Sequence, residues 1–145
     1  MKNIILVTHG KFAEGIKDSV ELIMGEMQQV AIISVTNKET ISQVQESIEE
    51  KIANFRNPYP IVIFTDILGG STTQAAIKCI SNHRLLYLIS GLNLGLLLEV
   101  MLIELDDNHL ENMKKLKTAI ETSKNSIQLV NDAFDVSQNN LEDIL

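Results

Sequence analysis

Ile61-Val62-Ile63-Phe64-Thr65-Asp66-Ile67-Leu68-Gly69-Gly70-Ser71-Thr72 reads as a strand, a turn and the opening of a helix. The first five residues are all β-branched or aromatic, and Pro58 and Pro60 break the chain just before them. The run is apolar without alternation, as expected of a strand covered on both faces. Asp66 to Ser71 is rich in turn formers, and Thr72 to Ile80 has the composition of a short helix.

Working outward, the same order recurs. Upstream, Ile4 to Val7 is a four-residue apolar run closed by Thr8-His9-Gly10. Phe12, Ile16, Val20 and Ile23 then recur at helical spacing, with Gly25 as a stop. Val30 to Val35 is a second strand. Thr40-x-x-Gln43 has the form of a capping box, and Ile41, Val44, Ile48 and Ile52 form one helical stripe behind it. Downstream, Leu85 to Ile89 is a fourth strand. Ser90-Gly91-Leu92-Asn93 turns into an apolar helix from Leu94 to Ile103, and a polar-faced helix runs from Glu111 to about Lys124.

Strands that alternate with helices make βαβ units and a parallel sheet, and right-handed crossovers put helices on both faces. The expected fold is a doubly wound α/β domain with a mainly parallel four-stranded sheet in the order 2-1-3-4. Ile127, Leu129 and Val130 are candidates for a fifth, antiparallel edge strand. One domain is expected over residues 1–131. The acidic tail 132–145, ending in Leu141, Ile144 and Leu145, reads as a docking helix or a frayed terminus.

The chain has 145 residues, enough for a core without disulfide or metal staples. Its net charge is −7, from 19 acidic and 12 basic side chains, which argues against nucleic acid and anionic membrane surfaces as partners. The single cysteine, Cys79, rules out an intrachain disulfide and a cysteine metal cluster. The apolar run at the amino terminus is too short for a signal peptide core or a membrane span, so a reducing cytoplasm is expected.

In an open parallel sheet, ligands bind beyond the carboxyl ends of the strands, at the topological switch point. Strands one and three meet there, which brings His9 and Asp66 to one crevice. A carboxylate that accepts the Nδ1–H fixes the imidazole tautomer and leaves the Nε2 lone pair free as a nucleophile, a base or a metal ligand. A turn-capping His is the plainer alternative. Gly69-Gly70-Ser71 before a helix is an anion cradle, or else a turn with Ser71 as the N-cap. A nucleophilic His, an orienting Asp and an anion cradle together point to phosphoryl chemistry on the His itself. The remaining candidates read as bland: His83 and His109 as surface residues, Cys79 as buried and inert, Met24, Met27 and Met101 as packing, and Glu104 to Asp107 as a solvated turn.

Taken together, Thr8-His9-Gly10 with Phe12-Ala13 and Gly15, Asp66-Ile67-Leu68-Gly69-Gly70-Ser71 with Ala75-Ala76, and Gly91-Leu92-Asn93 make the sequence resemble the EIIA domain of the mannose-type bacterial sugar phosphotransferase system. The resemblance runs from about Ile4 to Lys124. It implies a phosphoryl carrier in which His9 accepts a phosphoryl group on Nε2 from the phosphocarrier HPr and passes it to an EIIB component for sugar uptake. Asp66 matches the orienting carboxylate and Ser71 the phosphate-contacting hydroxyl, with Gly70 and Thr72 expected beside it in the phosphate site. A homodimer is implied, and neither a metal nor a cofactor is expected. Two positions depart from the family pattern, which often has Pro where Thr72 and Gly95 stand here.

The rival readings lack residues they need. A histidine phosphatase wants Arg before its His-Gly, a flavodoxin-like binder wants a Ser/Thr- and Gly-rich loop after strand one, and a receiver domain wants an acidic pair near strand one. A regulatory phosphohistidine module, or a small anion-binding α/β protein without a transport role, is the alternative that sequence leaves open.

Overall fold

In this computed structural model, which describes residues 1–133, the first strand, β1 (Asn3–His9), divides the core in two. Its side chains alternate. Ile4 and Leu6 point to one face of the sheet and Ile5 and Val7 to the other, and all four are fully buried. A strand can be apolar at every position only if both faces are covered, and here they are.

The elements follow in strict alternation: α1 (Phe12–Met24), β2 (Val30–Val35), α2 (Ile41–Asn54), β3 (Ile61–Thr65), α3 (Ser71–Ile80), β4 (Leu86–Ser90), then α4 (Leu94–Leu102), α5 (His109–Asn125) and a short α6 (Val130–Ala133). The four strands are all parallel, in the order β2-β1-β3-β4. The chain moves outward from β1 to β2, then returns past β1 to β3 and continues to β4. That reversal puts α1, α4 and α5 on one face, where Val20, Leu97 and Leu116 meet Ile4, Leu6 and Phe64. On the other face α2 and α3 bring Val44, Ile48, Ala75 and Ala76 against Ile5, Val7 and Ile63. The reversal also makes β1 and β3 the strands from which helices leave to opposite faces, so a crevice opens beyond their carboxyl ends.

Local chemistry sets the element ends. The capping box forms in full: the Thr40 side chain accepts from the Gln43 amide at 3.1 Å, and the Gln43 side chain accepts from the Thr40 amide at 2.8 Å. Gly25 ends α1 at φ +87°, a conformation that residues with a Cβ rarely adopt. At the amino ends of the strands, Asn3 and Asn57 exchange reciprocal amide bonds of 2.8 and 2.9 Å, which ties the loop before β3 to the start of β1.

Four sequence expectations need correction. The stretch from Ile127 to Val130 is not an edge strand. Its backbone makes local bonds, from the Ile127 amide to the Lys124 carbonyl and from the Asp132 amide to the Leu129 carbonyl, as α5 unwinds into α6. Phe12 and Ile23 lie on the α1 stripe but are 45% and 60% exposed, at the two ends of the helix and outside its buried residues Ala13, Ile16 and Val20. His83 is half-buried and bonds Glu49 across 2.7 Å, so it pins the end of α2 instead of standing free in solvent. Strand β4 begins at Leu86, because Leu85 holds φ +58°, outside the strand region. Cys79 is buried and inert as expected: burial beside Glu49 pushes its thiol up to about 12. The tail expected from residue 132 lies outside the described residues except for its first two positions.

The capping box on α2 is exposed, and its side-chain bonds run only between Thr40 and Gln43, which allows its contribution to be isolated. Thr40→Ala should lower stability by about 1 kcal/mol. Urea unfolding should show this as a lower midpoint with an unchanged m-value.

Candidate functional site

The crevice between β1 and β3 is assembled from three short segments. In the first, β1 ends at His9 and the chain must turn at once into α1. Gly10 takes φ +59° to make the turn, and its amide donates to the Val35 carbonyl of β2 at 2.8 Å. The buried Thr8 hydroxyl accepts from the Ala13 amide at 2.9 Å, which satisfies one of the unpartnered donors at the start of α1. With its neighbours fixed in this way, His9 projects from a rigid corner, and its side chain is 46% exposed.

The second segment supplies Asp66, the first residue after β3. Both carboxylate oxygens are fully engaged. Oδ2 accepts from the His9 backbone amide at 2.8 Å and lies 2.9 Å from His9 Nδ1. Oδ1 accepts from the Ile67 amide at 3.0 Å and from the Thr72 hydroxyl at 2.9 Å. Burial pushes the Asp66 carboxyl up, but the His9 amide, the His9 ring and the Thr72 hydroxyl outweigh it, and the net direction is below the ordinary carboxylate value. An ionised carboxylate can only accept, so His9 Nδ1 carries the proton and Nε2 keeps its lone pair. Nε2 faces the open side of the crevice.

The third segment is the start of α3. Gly70, not Ser71, is the N-cap. That shift matters, because an N-capping Ser71 would spend its hydroxyl on the helix. Instead Ser71 is the first helical residue, and its Oγ lies 3.4 Å from His9 Nε2. The first-turn amides of α3 have no acceptor inside the helix and give the corner a partial positive charge. Gly70 packs its α-carbon against the imidazole: a Cβ there would stand 3.3 Å from His9 Cε1.

The structure brings the five expected site residues to one corner: Asp66 bonds the Nδ1 side of the His9 ring, Gly70 lies against Cε1, and the Ser71 hydroxyl is beside Nε2. The Thr72 hydroxyl does not face Nε2. It is buried and directed at Asp66. The Ser90–Asn93 turn contributes support only: the Asn93 side chain caps α4 by accepting from the Leu96 amide at 2.9 Å, and Gly95 leaves room beside it for the end of α5. Thr73 belongs to the same scaffold and carried no sequence signal. Its hydroxyl donates to the Ile67 carbonyl at 2.6 Å and pairs with Thr65 at 2.6 Å, which clamps the loop that carries Asp66. Among the described residues no group of His, Cys, Asp and Glu is arranged to hold a metal ion.

Comparison with known proteins places this arrangement in a class. Residues 3–121 match the family model EIIA-man, described as the fructose IIA component of the phosphotransferase system. The chain belongs to that family: it is a mannose-type EIIA domain, a phosphoryl-carrying component of a sugar phosphotransferase system. Among its relatives, a fructose-specific EIIA component of Bacillus subtilis is 26% identical over 132 residues, which is 91% of this chain and 88% of that protein. A sorbose-specific EIIA component of Lacticaseibacillus casei is 30% identical over 97 residues, covering 67% of this chain and 70% of that protein. The crystal structure of an EIIA component from Streptococcus agalactiae superposes with a TM-score of 0.76 at 27% identity, covering 91% of this chain and 99% of that one.

The lowered carboxyl of Asp66 has a measurable consequence. Its ionised form should supply stability in full above the ordinary value of 3.8, and that stability should fade as pH falls through the lower folded-state value. A carboxyl-resolved NMR titration should place the Asp66 midpoint below 3.8, with His9 ring shifts moving at the same midpoint.

Proposed function

We propose that His9 is the phosphoryl acceptor and donor of this EIIA domain. The observation that carries the reading is the pair of bonds from Asp66 Oδ2 to the His9 amide and ring, which leaves Nε2 as an oriented, exposed nucleophile. The phosphoryl donor is HPr carrying a phosphohistidine, and the recipient is the EIIB component of the same system.

In the acceptance step the Nε2 lone pair attacks phosphorus in line. The new N–P bond forms on His9 while the N–P bond of the donor breaks, and its electron pair returns to the donor imidazole. The phosphorylated ring, still protonated on Nδ1, carries positive charge, which Asp66 offsets at 2.9 Å. Ser71 and the first-turn amides of α3, with Thr72 among them, are positioned to meet the phosphoryl oxygens through their N–H groups and the Ser71 hydroxyl, while Gly70, whose amide donates to the Ile67 carbonyl at 3.1 Å, leaves room beside the ring. Donation to EIIB reverses the roles.

The surface around His9 suits protein partners. Phe12, Ile67 and Leu68 are 45%, 60% and 78% exposed and form an apolar rim. The net charge of −7 complements a basic patch on the donor and would steer the encounter. Partners and rim are consistent with work in the cytoplasm, and no helix among the described residues is long and apolar enough to cross a membrane.

We also propose a homodimer. The outer edge of β4 is unpaired among the described residues and is flanked by an apolar groove of about 410 Å³ lined by Ile80, Leu88, Met113 and Ile120. Ile127, Leu129 and Val130 are exposed at 75%, 65% and 51%, and they suit such a groove as an apolar segment exchanged between subunits.

Incubation with phosphoenolpyruvate, enzyme I and HPr should add one acid-labile, base-stable phosphoryl group. His9→Ala should accept none while remaining folded; label appearing on His83 or His109 instead would refute the assignment. Asp66→Asn should slow acceptance and donation by on the order of 10²–10³, because Asn keeps a hydrogen bond but not the charge. For assembly, sedimentation should show a dimer at micromolar concentration. A chain ending at Lys124 should sediment as a monomer, and a dimer from that truncated chain would rule out the exchanged segment.

A further inference from the structure

We propose that Thr72 is a positioning residue for phosphoryl transfer, holding Asp66 so that the Asp66 carboxylate can hold His9. The inference rests on the reading of His9 as the phosphoryl carrier. It concerns a residue that never touches the phosphoryl group through its side chain.

The geometry of the Asp66 carboxylate sets the requirement. To present Oδ2 to both the His9 amide and His9 Nδ1, the group must be fixed about its Cβ–Cγ bond, so Oδ1 must be held as well. Two donors hold it. One is the Ile67 amide, which belongs to the next residue and moves with Asp66 on the same loop. The other is the Thr72 hydroxyl, which stands on α3, six residues away, and is fully buried. Only the second ties the carboxylate to a rigid element whose other residues, Ala75 and Ala76, are packed into the core. Its short β-branched side chain has little rotamer freedom, so the hydroxyl is delivered at low entropic cost.

The neighbouring hydroxyls sharpen the assignment. Ser71, Thr72 and Thr73 follow one another through the first turn of α3, and a helix fans consecutive side chains by about 100°. Ser71 therefore faces His9 Nε2, Thr72 faces Asp66 Oδ1, and Thr73 faces the Ile67 carbonyl. One helical turn thus aligns the phosphoryl site, the orienting carboxylate and the loop that carries it.

The test uses the full-length protein with HPr as donor. Thr72→Val removes the hydroxyl at nearly constant shape and Thr72→Ser keeps it. Thr72→Val should slow both acceptance and donation about tenfold, the scale of one hydrogen bond to a charged group. It should also raise the Asp66 midpoint in the NMR titration and weaken the Nδ1–H signature of His9 in the ¹⁵N spectrum. Thr72→Ser should restore all three. If the hydroxyl only stabilised the fold, unfolding midpoints would shift without any change in Asp66 titration or His9 tautomer, and the proposal would fall. Wild-type rates in a folded Thr72→Val protein, alongside inactive His9→Ala, would overturn this inference and leave the carrier assignment standing. Labelling that persists in His9→Ala would instead remove the reading on which it rests. Should Thr72→Val fail to fold, Thr72→Ala provides the hydroxyl-free comparison, and failure of both would make Thr72 a stability residue and refute the proposal.

Discussion

The contact on which the rest depends is the one between Asp66 Oδ2 and His9, made twice, once to the backbone amide and once to the ring. The backbone bond replaces the ladder bond that β1 would otherwise form with β3 and so ends the strand pairing at the mouth of the crevice. The ring bond chooses the tautomer. A single oxygen therefore couples the end of the β1–β3 pairing to the orientation of the imidazole. The net lowering of the Asp66 pKa, against a burial that opposes it, shows how heavily donors are concentrated there.

Around that contact the molecule is arranged in tiers of decreasing exposure. His9 is nearly half open, the Asp66 side chain is 10% exposed, and Thr72 is fully enclosed. The tiers come from two strand-to-helix connections, β1–α1 and β3–α3, which the doubly wound topology brings side by side. The remaining histidines show the contrast. His83 pairs with Glu49 at the far end of the sheet, and His109 stacks on Tyr87 with ring centroids 5.5 Å apart. Neither has a free ring nitrogen directed into a crevice lined by helix-start amides.

Much of this was legible in the sequence, for physical reasons that differ by element. The strands were plain because β-branched residues without alternation have few other uses, and the start of α2 was plain because Thr40 and Gln43 have the spacing of a reciprocal cap. His9 and Asp66 could be placed together because the crossover rule leaves little freedom in strand order. The segment Ile127–Val130 was misread because its composition suits a strand, whereas pairing depends on a neighbour that composition does not reveal. The Thr72 hydroxyl could not be assigned from spacing alone: moving the helix start by one residue, from Ser71 to Gly70 as the cap, rotates every following side chain and decides which hydroxyl meets which acceptor.

The central strand has a further consequence for how the chain is made. β1 is synthesised before both of its partners, and Thr65, which closes the pairing with β3, comes 58 residues after Val7. At about 5–20 residues per second the nascent chain carries Ile4 to Val7 without β3 for roughly three to twelve seconds. Within that interval β2 is produced and can pair with one edge of β1, while α1 and then α2 can cover its two faces. The edge that will meet β3 stays open until the interval ends, and an open apolar edge is the kind of surface that associates with other chains.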